Sequence, residues 1–73
     1  MRILLVEDDS SLGDGIYKGL KQYGYTVDWL TDGRTALSSI KTETFDFILL
    51  HLNLPRLPGL SVLREMRAAG ITV

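Results

Sequence analysis

A short apolar run, residues 3–6, lies close to the N-terminus and stops abruptly at the acidic residues 7–9. Apolar runs of this length, bounded by charges, are typical of strands that helices cover on both faces of a parallel sheet. A second such run lies within residues 45–52 and is followed by a loop that contains two prolines and a glycine, residues 53–59. The two runs predict neighbouring parallel strands, and no other feature of the sequence constrains the fold as strongly.

The segments between these runs show helical periodicity. Leu12, Ile16 and Leu20 recur at four-residue spacing, which indicates one face of a helix, and Gly24 is typical of its C-terminal end. Residues 25–30 are rich in β-forming side chains and predict a further strand. Two more helices are predicted from apolar spacing, the first around Ala36, Leu37 and Ile40 and the second around Leu60, Val62, Leu63 and Met66.

Residues 71–73 resemble the beginning of a fourth strand, so the predicted order is β-α-β-α-β-α-(β). Strands that alternate with helices favour a parallel α/β sheet with right-handed crossovers. The 73 residues, 45% of them hydrophobic, are enough for one domain over residues 1–73 and too few for two. Three helices and three and a half strands form only part of such a sheet.

Composition and charge exclude several classes of protein. The chain has no cysteine, which excludes disulfides and thiolate metal sites. The net charge of −1 gives no reason to expect nucleic acid or an anionic membrane as a partner of this segment. No apolar run reaches the roughly 20 residues of a membrane span, and the acids at 7–9 interrupt any secretory signal. A cytoplasmic protein is therefore expected.

Polar side chains follow the first and third predicted strands. If these strands are parallel neighbours, Glu7, Asp8 and His51 meet at the carboxyl edge of the sheet, where open α/β folds place their chemistry. Two acids facing a third carboxylate would form a site for magnesium and phosphoryl transfer. In this chain the two acids face an imidazole instead.

Several of these segments together resemble the receiver domain of bacterial response regulators, most closely the OmpR/PhoB type. The resemblance covers essentially the whole chain and rests on the runs Ile3-Leu4-Leu5-Val6-Glu7-Asp8-Asp9, Gly24-Tyr25, Asp32-Gly33, Phe45-Asp46 and Leu54-Pro55 with Gly59. It implies a partial flavodoxin-like (CheY-like) doubly wound parallel sheet, whose complete form has five strands in the order 2-1-3-4-5.

The resemblance also implies a chemistry. In the family, an aspartate that ends the third strand accepts a phosphoryl group from a histidine kinase. An acid pair after the first strand and a backbone carbonyl two residues after the acceptor hold Mg²⁺. These roles map onto Glu7 and Asp8 for the acid pair, Asn53 for the carbonyl and His51 for the acceptor position.

The sequence departs from the family pattern at two points. His51 stands at the acceptor position, so no acyl phosphate is expected there. The chain also ends before the family's hydroxyl residue after the fourth strand and lysine after the fifth, which indicates a truncated receiver. The expected function is therefore a response regulator receiver module that is not an enzyme, cannot accept phosphate at position 51, and binds Mg²⁺ weakly or vestigially.

The expected partners are a histidine kinase or a partner regulator, together with a second copy of the chain through an exposed sheet edge. The alternative function is a pseudo-receiver, an interaction module that works without phosphorylation, and an autonomous metalloenzyme is a more distant one. The acids at 7–9 can also be interpreted as a solvated loop that caps the first helix. Asp9 is interpreted as a charge at the start of that helix rather than as a ligand. For His51, the readings besides a lost acceptor are a phosphorylatable histidine, a general base, and a transition-metal ligand beside Glu7 and Asp8.

Overall fold

The computed structural model describes residues 1–52 and 54–73. Strands and helices alternate along the chain, as the sequence predicts. The elements are β1 (Arg2–Val6), α1 (Ser10–Gln22), β2 (Thr26–Leu30), α2 (Gly33–Thr42), β3 (Phe47–Leu50) and α3 (Gly59–Ala68).

The three strands form one parallel sheet in the order β2-β1-β3. Val6, at the end of β1, stands in register with Leu30 of β2 and Leu50 of β3. The central position of β1 explains its unbroken apolar run, because both of its faces are covered: Ile3, Leu4, Leu5 and Val6 are each at most 4% exposed. The parallel register also brings the residues that follow β1 and β3 to the same edge of the sheet.

The prediction of a fourth strand is wrong, because residues 71–73, which the structure describes, do not form a strand. The backbone groups of Ile71 are used by the end of α3 instead. Its N–H donates to the Met66 carbonyl at 3.0 Å, and the Arg67 guanidinium donates to the Ile71 carbonyl at 3.2 Å. Gly70, at φ 76°, makes the left-handed turn that this ending requires.

Asp9 and Asp32 fix the starts of the first two helices. The Asp9 carboxylate accepts hydrogen bonds from the N–H groups of Ser11 and Leu12 at 2.9 and 3.0 Å. The Asp32 carboxylate accepts from the N–H of Thr35 at 2.9 Å. Both side chains satisfy helix N–H groups that have no intrahelical partner. The interpretation of Asp9 as a residue of the helix start is confirmed.

Helices α2 and α3 cover one face of the sheet with a closely packed core. Its buried members come from β1, from α2 and α3, and from the loops before and after β3. Partly buried apolar residues pack around them: Leu30, Ile48, Leu50, Leu57 and Ile71. The buried members are Leu4, Val6, Ala36, Leu37, Ile40, Phe45, Leu54, Val62 and Met66.

Helix α1 covers the other face only in part. Gly13 is its buried residue, and it lies against the indole of Trp29, whose ring centroid is 5.9 Å from that of Tyr17. Of the apolar face predicted for α1, Ile16 and Leu20 are half-buried, whereas Leu12 is 51% exposed. Phe47 of β3 is 50% exposed. No helix within 1–52 and 54–73 is long and apolar enough to cross a membrane.

Candidate functional site

The structure brings together three of the four residues predicted for the site. Glu7 and Asp8 follow β1, His51 follows β3, and each offers a metal-binding atom within 4.8 Å of those of the other two. The fourth residue, Asn53, lies outside the described residues, so its predicted role as a carbonyl ligand stays a prediction.

Glu7 is the buried member of the group, at 4% exposure. Its backbone is fixed on the β2 side, since its N–H donates to the Leu30 carbonyl and its carbonyl accepts from the Trp29 indole N–H, both at 3.0 Å. Its Oε2 accepts from the N–H of Asp9 at 3.0 Å, and its Oε1 lies 3.1 Å from His51 Nδ1. Both carboxylate oxygens therefore have polar partners, as a buried carboxylate requires.

His51 extends the pairing of β3 with β1 by one residue, because its N–H donates to the Val6 carbonyl at 3.1 Å. The start of α3 holds the next residue, since the N–H of Gly59 donates to the Leu52 carbonyl at 2.8 Å. A β-carbon at Gly59 would collide with the carbonyl oxygen of His51. The glycine thus lets α3 approach the strand end closely, and the backbone of His51 is fixed while its side chain stays 39% exposed.

Asp8 differs from the other two members because it is exposed. It lies between the buried Glu7 and Asp9, whose carboxylate caps α1. The site therefore combines a fixed carboxylate, a fixed imidazole and one carboxylate at the surface that can adjust its position.

A groove of about 200 Å³ begins beside Glu7 and His51 and runs along the α1 side of β3. Glu7 and His51 form its polar end, and the remainder of its lining is apolar. The apolar lining consists of Leu5, Val6, Ile16, Leu49 and Leu50.

Sequence reasoning missed the contribution of Trp29 to the site. Its aromatic ring packs beside Tyr17, and its indole N–H donates to the carbonyl of Glu7. Only the register of β2 against β1 reveals this contact, because Trp29 stands opposite Leu5, two residues before Glu7. No local signal in the sequence distinguishes such a tryptophan from one that only packs.

The donor set decides which ions this group of side chains can hold. Mg²⁺ prefers oxygen ligands in near-octahedral geometry. Glu7 and Asp8 offer such oxygens, but the third donor is an imidazole nitrogen. The described residues therefore offer magnesium two carboxylate donors, and the imidazole adds no further oxygen.

Comparison with known proteins gives close relatives among bacterial regulators. The chain is 51% identical over 71 residues to the response regulator protein PmrA of Pseudomonas aeruginosa, covering 97% of this chain and 32% of that protein. It is 46% identical over 68 residues to the transcriptional regulatory protein QseB of Haemophilus influenzae, covering 93% of this chain and 31% of that protein. The chain thus spans about a third of the length of these relatives.

Solved receiver domains share the fold. The receiver domain of the sensor histidine kinase PA1611 from Pseudomonas aeruginosa, with a magnesium ion in its active-site cleft, is 40% identical with a TM-score of 0.89 over 92% of this chain and 55% of that one. The receiver domain of the Francisella response regulator 1452 is 28% identical with a TM-score of 0.92 over 96% of this chain and 58% of that one. Residues 3–73 match the response regulator receiver domain as a family, and this chain belongs to it.

Proposed function

We propose that this chain is a receiver module of an OmpR/PhoB-type response regulator that cannot accept a phosphoryl group at position 51. The observation that supports the proposal most directly is the position of His51 at the end of β3, with its Nδ1 3.1 Å from Glu7 Oε1. That position corresponds to the family's acceptor aspartate.

The chemical reason lies in the side chain. The family's acceptor is a carboxylate oxygen, which attacks phosphorus and forms an acyl phosphate. An imidazole has no such oxygen, and one of its nitrogens already contacts Glu7. The proposal therefore assigns His51 to a substituted acceptor position and makes the module a signalling or binding protein rather than an enzyme.

Magnesium binding is weakened in the same proposal. The PA1611 receiver domain holds a magnesium ion in its cleft. Here Glu7 and Asp8 keep two oxygen donors, with the Asn53 carbonyl as the proposed third. In the family the acceptor aspartate adds a third negative charge beside the acid pair. His51 at that position carries no such charge, so the Coulomb attraction for a divalent ion is smaller. The residual Mg²⁺ site is weak or vestigial.

The relatives indicate the context in which such a module works. Their names describe a response regulator protein and a transcriptional regulatory protein, and each is about three times as long as this chain. We infer a histidine kinase or a partner regulator as the protein partner, with transcription controlled by the intact regulator. The alternative is a pseudo-receiver that binds such a partner without phosphorylation.

Acetyl phosphate tests the proposal directly. After incubation with acetyl phosphate and Mg²⁺, intact-mass analysis is expected to show no added phosphoryl group on the chain. The matched variant His51→Asp restores the carboxylate and is expected to become partly phosphorylated. A stoichiometric phosphoryl adduct on the unsubstituted chain would overturn the proposal.

A second measurement separates the two functions. Binding of the chain and of His51→Asp to a candidate kinase is compared with and without phosphodonor. A pseudo-receiver binds equally well in all cases, whereas a receiver whose output depends on phosphate changes its affinity only in the phosphorylated His51→Asp variant.

A further inference from the structure

The imidazole at the carboxyl edge of the sheet changes which metal the site selects. We propose that Glu7, Asp8 and His51 form a binding site for a borderline divalent transition metal such as Zn²⁺, and that this site prefers such an ion to Mg²⁺. The inference concerns the same edge of the sheet as the proposed function and rests on His51 being at the acceptor position.

The geometry of the two fixed donors suits direct coordination. Glu7 Oε1 and His51 Nδ1 are 3.1 Å apart. A metal placed at about 2.0–2.1 Å from both atoms would subtend an angle of about 100° between them, which is close to both octahedral and tetrahedral values. The backbones that carry these side chains are held by β1, β2 and α3, so little reorganisation is needed for the metal to enter.

Asp8 completes the set of protein donors. The donor atoms of the three residues lie within 4.8 Å of one another, whereas two donors on one such metal are at most about 4.2 Å apart. Because Asp8 is exposed, rotation of its side chain can close this difference. The outer side of the site then remains open to water, which leaves a coordination position for solvent or for a partner's side chain.

The charge of the site favours a cation. Glu7 is 4% exposed, and a buried carboxylate gains more from a nearby positive charge than an exposed one does. The two carboxylates of the donor set bring a charge of −2, which a divalent ion neutralises. The two carboxylates alone would attract Mg²⁺ and Zn²⁺ alike, so the imidazole is what discriminates between the two ions.

The discrimination follows from ligand softness. Imidazole nitrogen is a good ligand for zinc, copper, iron and nickel, whereas carboxylate, carbonyl and water oxygens suit magnesium. Magnesium also gives up its water reluctantly and demands near-ideal octahedral geometry.

Isothermal titration of the intact chain with ZnCl₂, CoCl₂ and MgCl₂, separately, tests the inference. Zn²⁺ is expected to bind about tenfold or more tightly than Mg²⁺. His51→Asn, which removes a direct ligand, is expected to lose Zn²⁺ affinity by a factor of about 10 or more, at least as much as the loss of an outer-shell partner costs. His51→Asp is expected to shift the preference back towards Mg²⁺. Glu65→Gln, an exposed carboxylate variant on α3, serves as the matched control and should bind Zn²⁺ as the unsubstituted chain does.

His51 is the chain's single histidine, which gives a readout independent of affinity. On addition of Zn²⁺, the one set of imidazole resonances in the NMR spectrum is expected to shift in step with the calorimetric saturation. This measurement also holds if a variant fails to fold, because it uses the unsubstituted chain.

Two results would overturn the inference. One is Mg²⁺ binding as tightly as Zn²⁺ or more tightly; the other is Zn²⁺ binding that leaves the His51 resonances unchanged. Neither result depends on phosphorylation. A phosphoryl adduct after acetyl phosphate treatment would instead contradict the proposed function while leaving the metal preference standing.

Discussion

The two faces of the sheet differ in how completely they are packed. On the α2/α3 face, Leu4, Ala36 and Val62 are fully buried at 0% exposure. On the α1 face, Phe47 is 50% exposed and Leu12 is 51% exposed. Since burial of apolar surface is the main source of stability, the α2/α3 face holds the fold together and the α1 face contributes less.

The candidate site lies where the two faces meet. Glu7 and His51 close one end of the groove on the α1 side of β3, yet His51 is fixed through Gly59 by the first turn of α3 on the packed side. The packed α2/α3 face therefore positions the site, while the partly covered α1 face leaves it accessible. This arrangement explains how a half-exposed imidazole can stand at a fixed distance from a buried carboxylate.

The largest expected effect comes from truncating the packed face. Leu4→Ala removes a fully buried side chain from the centre of the core and should cost about 2–5 kcal/mol of unfolding free energy. Leu12→Ala, a matched truncation on the α1 face, should stay within about 0.5–1 kcal/mol because half of the side chain is already exposed.

Urea denaturation followed by far-UV circular dichroism compares the two variants. Small domains have only about 5–15 kcal/mol of stability, so Leu4→Ala can unfold the chain even without denaturant. Equal losses for the two variants would show that the faces do not differ in the way their burial indicates.

The glycines of α1 give a second contrast, with opposite signs. A β-carbon at Gly13 would collide with the Trp29 indole, whereas one at Gly15 meets no atom within 4 Å. Gly13→Ala is expected to destabilise by about 1–3 kcal/mol through overpacking. Gly15→Ala should stabilise by about 0.5–1 kcal/mol, the usual gain of alanine over glycine within a helix.

Fluorescence of Trp29, the chain's single tryptophan, measures both unfolding and the local displacement. Gly13→Ala should change the emission of the native state, since the indole must move and its N–H contact with Glu7 is disturbed. Stabilisation by both alanines would mean that α1 can move away from the sheet at no cost.

These contrasts also show how far the sequence could predict the structure. The apolar runs and helical spacing predicted the order of elements, and the position of acids after the first strand predicted the site edge with Glu7, Asp8 and His51. Periodicity alone could not separate Gly13 from Gly15, because the difference depends on which residue of β2 faces the helix. The same limit applies to Ile71, whose apolar neighbours suggested a strand although its backbone closes α3.

Self-association through the exposed β3 edge of the sheet is a third prediction. β3 is an edge strand among the described residues, and Phe47 presents an exposed ring there. Open apolar edges are templates for pairing with another chain, so the chain should dimerise or form larger assemblies and gain thermal stability with concentration.

Two lysine variants test this prediction. Phe47→Lys should shift the population towards monomer. Leu60→Lys, at a position on α3 where the leucine is 47% exposed, should not. Sedimentation at several concentrations measures the difference, and a monomer at every concentration would contradict the prediction.

The smallest expected effect concerns pH and the start of α2 on the packed face. The hydrogen bond from the Thr35 N–H, supported by the Thr35 hydroxyl and by Arg56 at 3.6 Å, lowers the pKa of Asp32 from its ordinary value of 3.8. A carboxyl group whose pKa is lower in the folded state stabilises the fold above its ordinary pKa, and that stability is lost as the pH falls through the lower, folded value.

Asp32→Asn keeps an amide oxygen that can cap the helix and removes only the charge. The variant should therefore be less stable than the unsubstituted chain near neutral pH, and the two should converge as the pH falls below about 4. Urea denaturation between neutral pH and acid measures this convergence, with Glu65→Gln as a control for loss of an exposed carboxylate. A stability difference that persists unchanged in acid would show that Asp32 acts through the geometry of its cap and not through its charge.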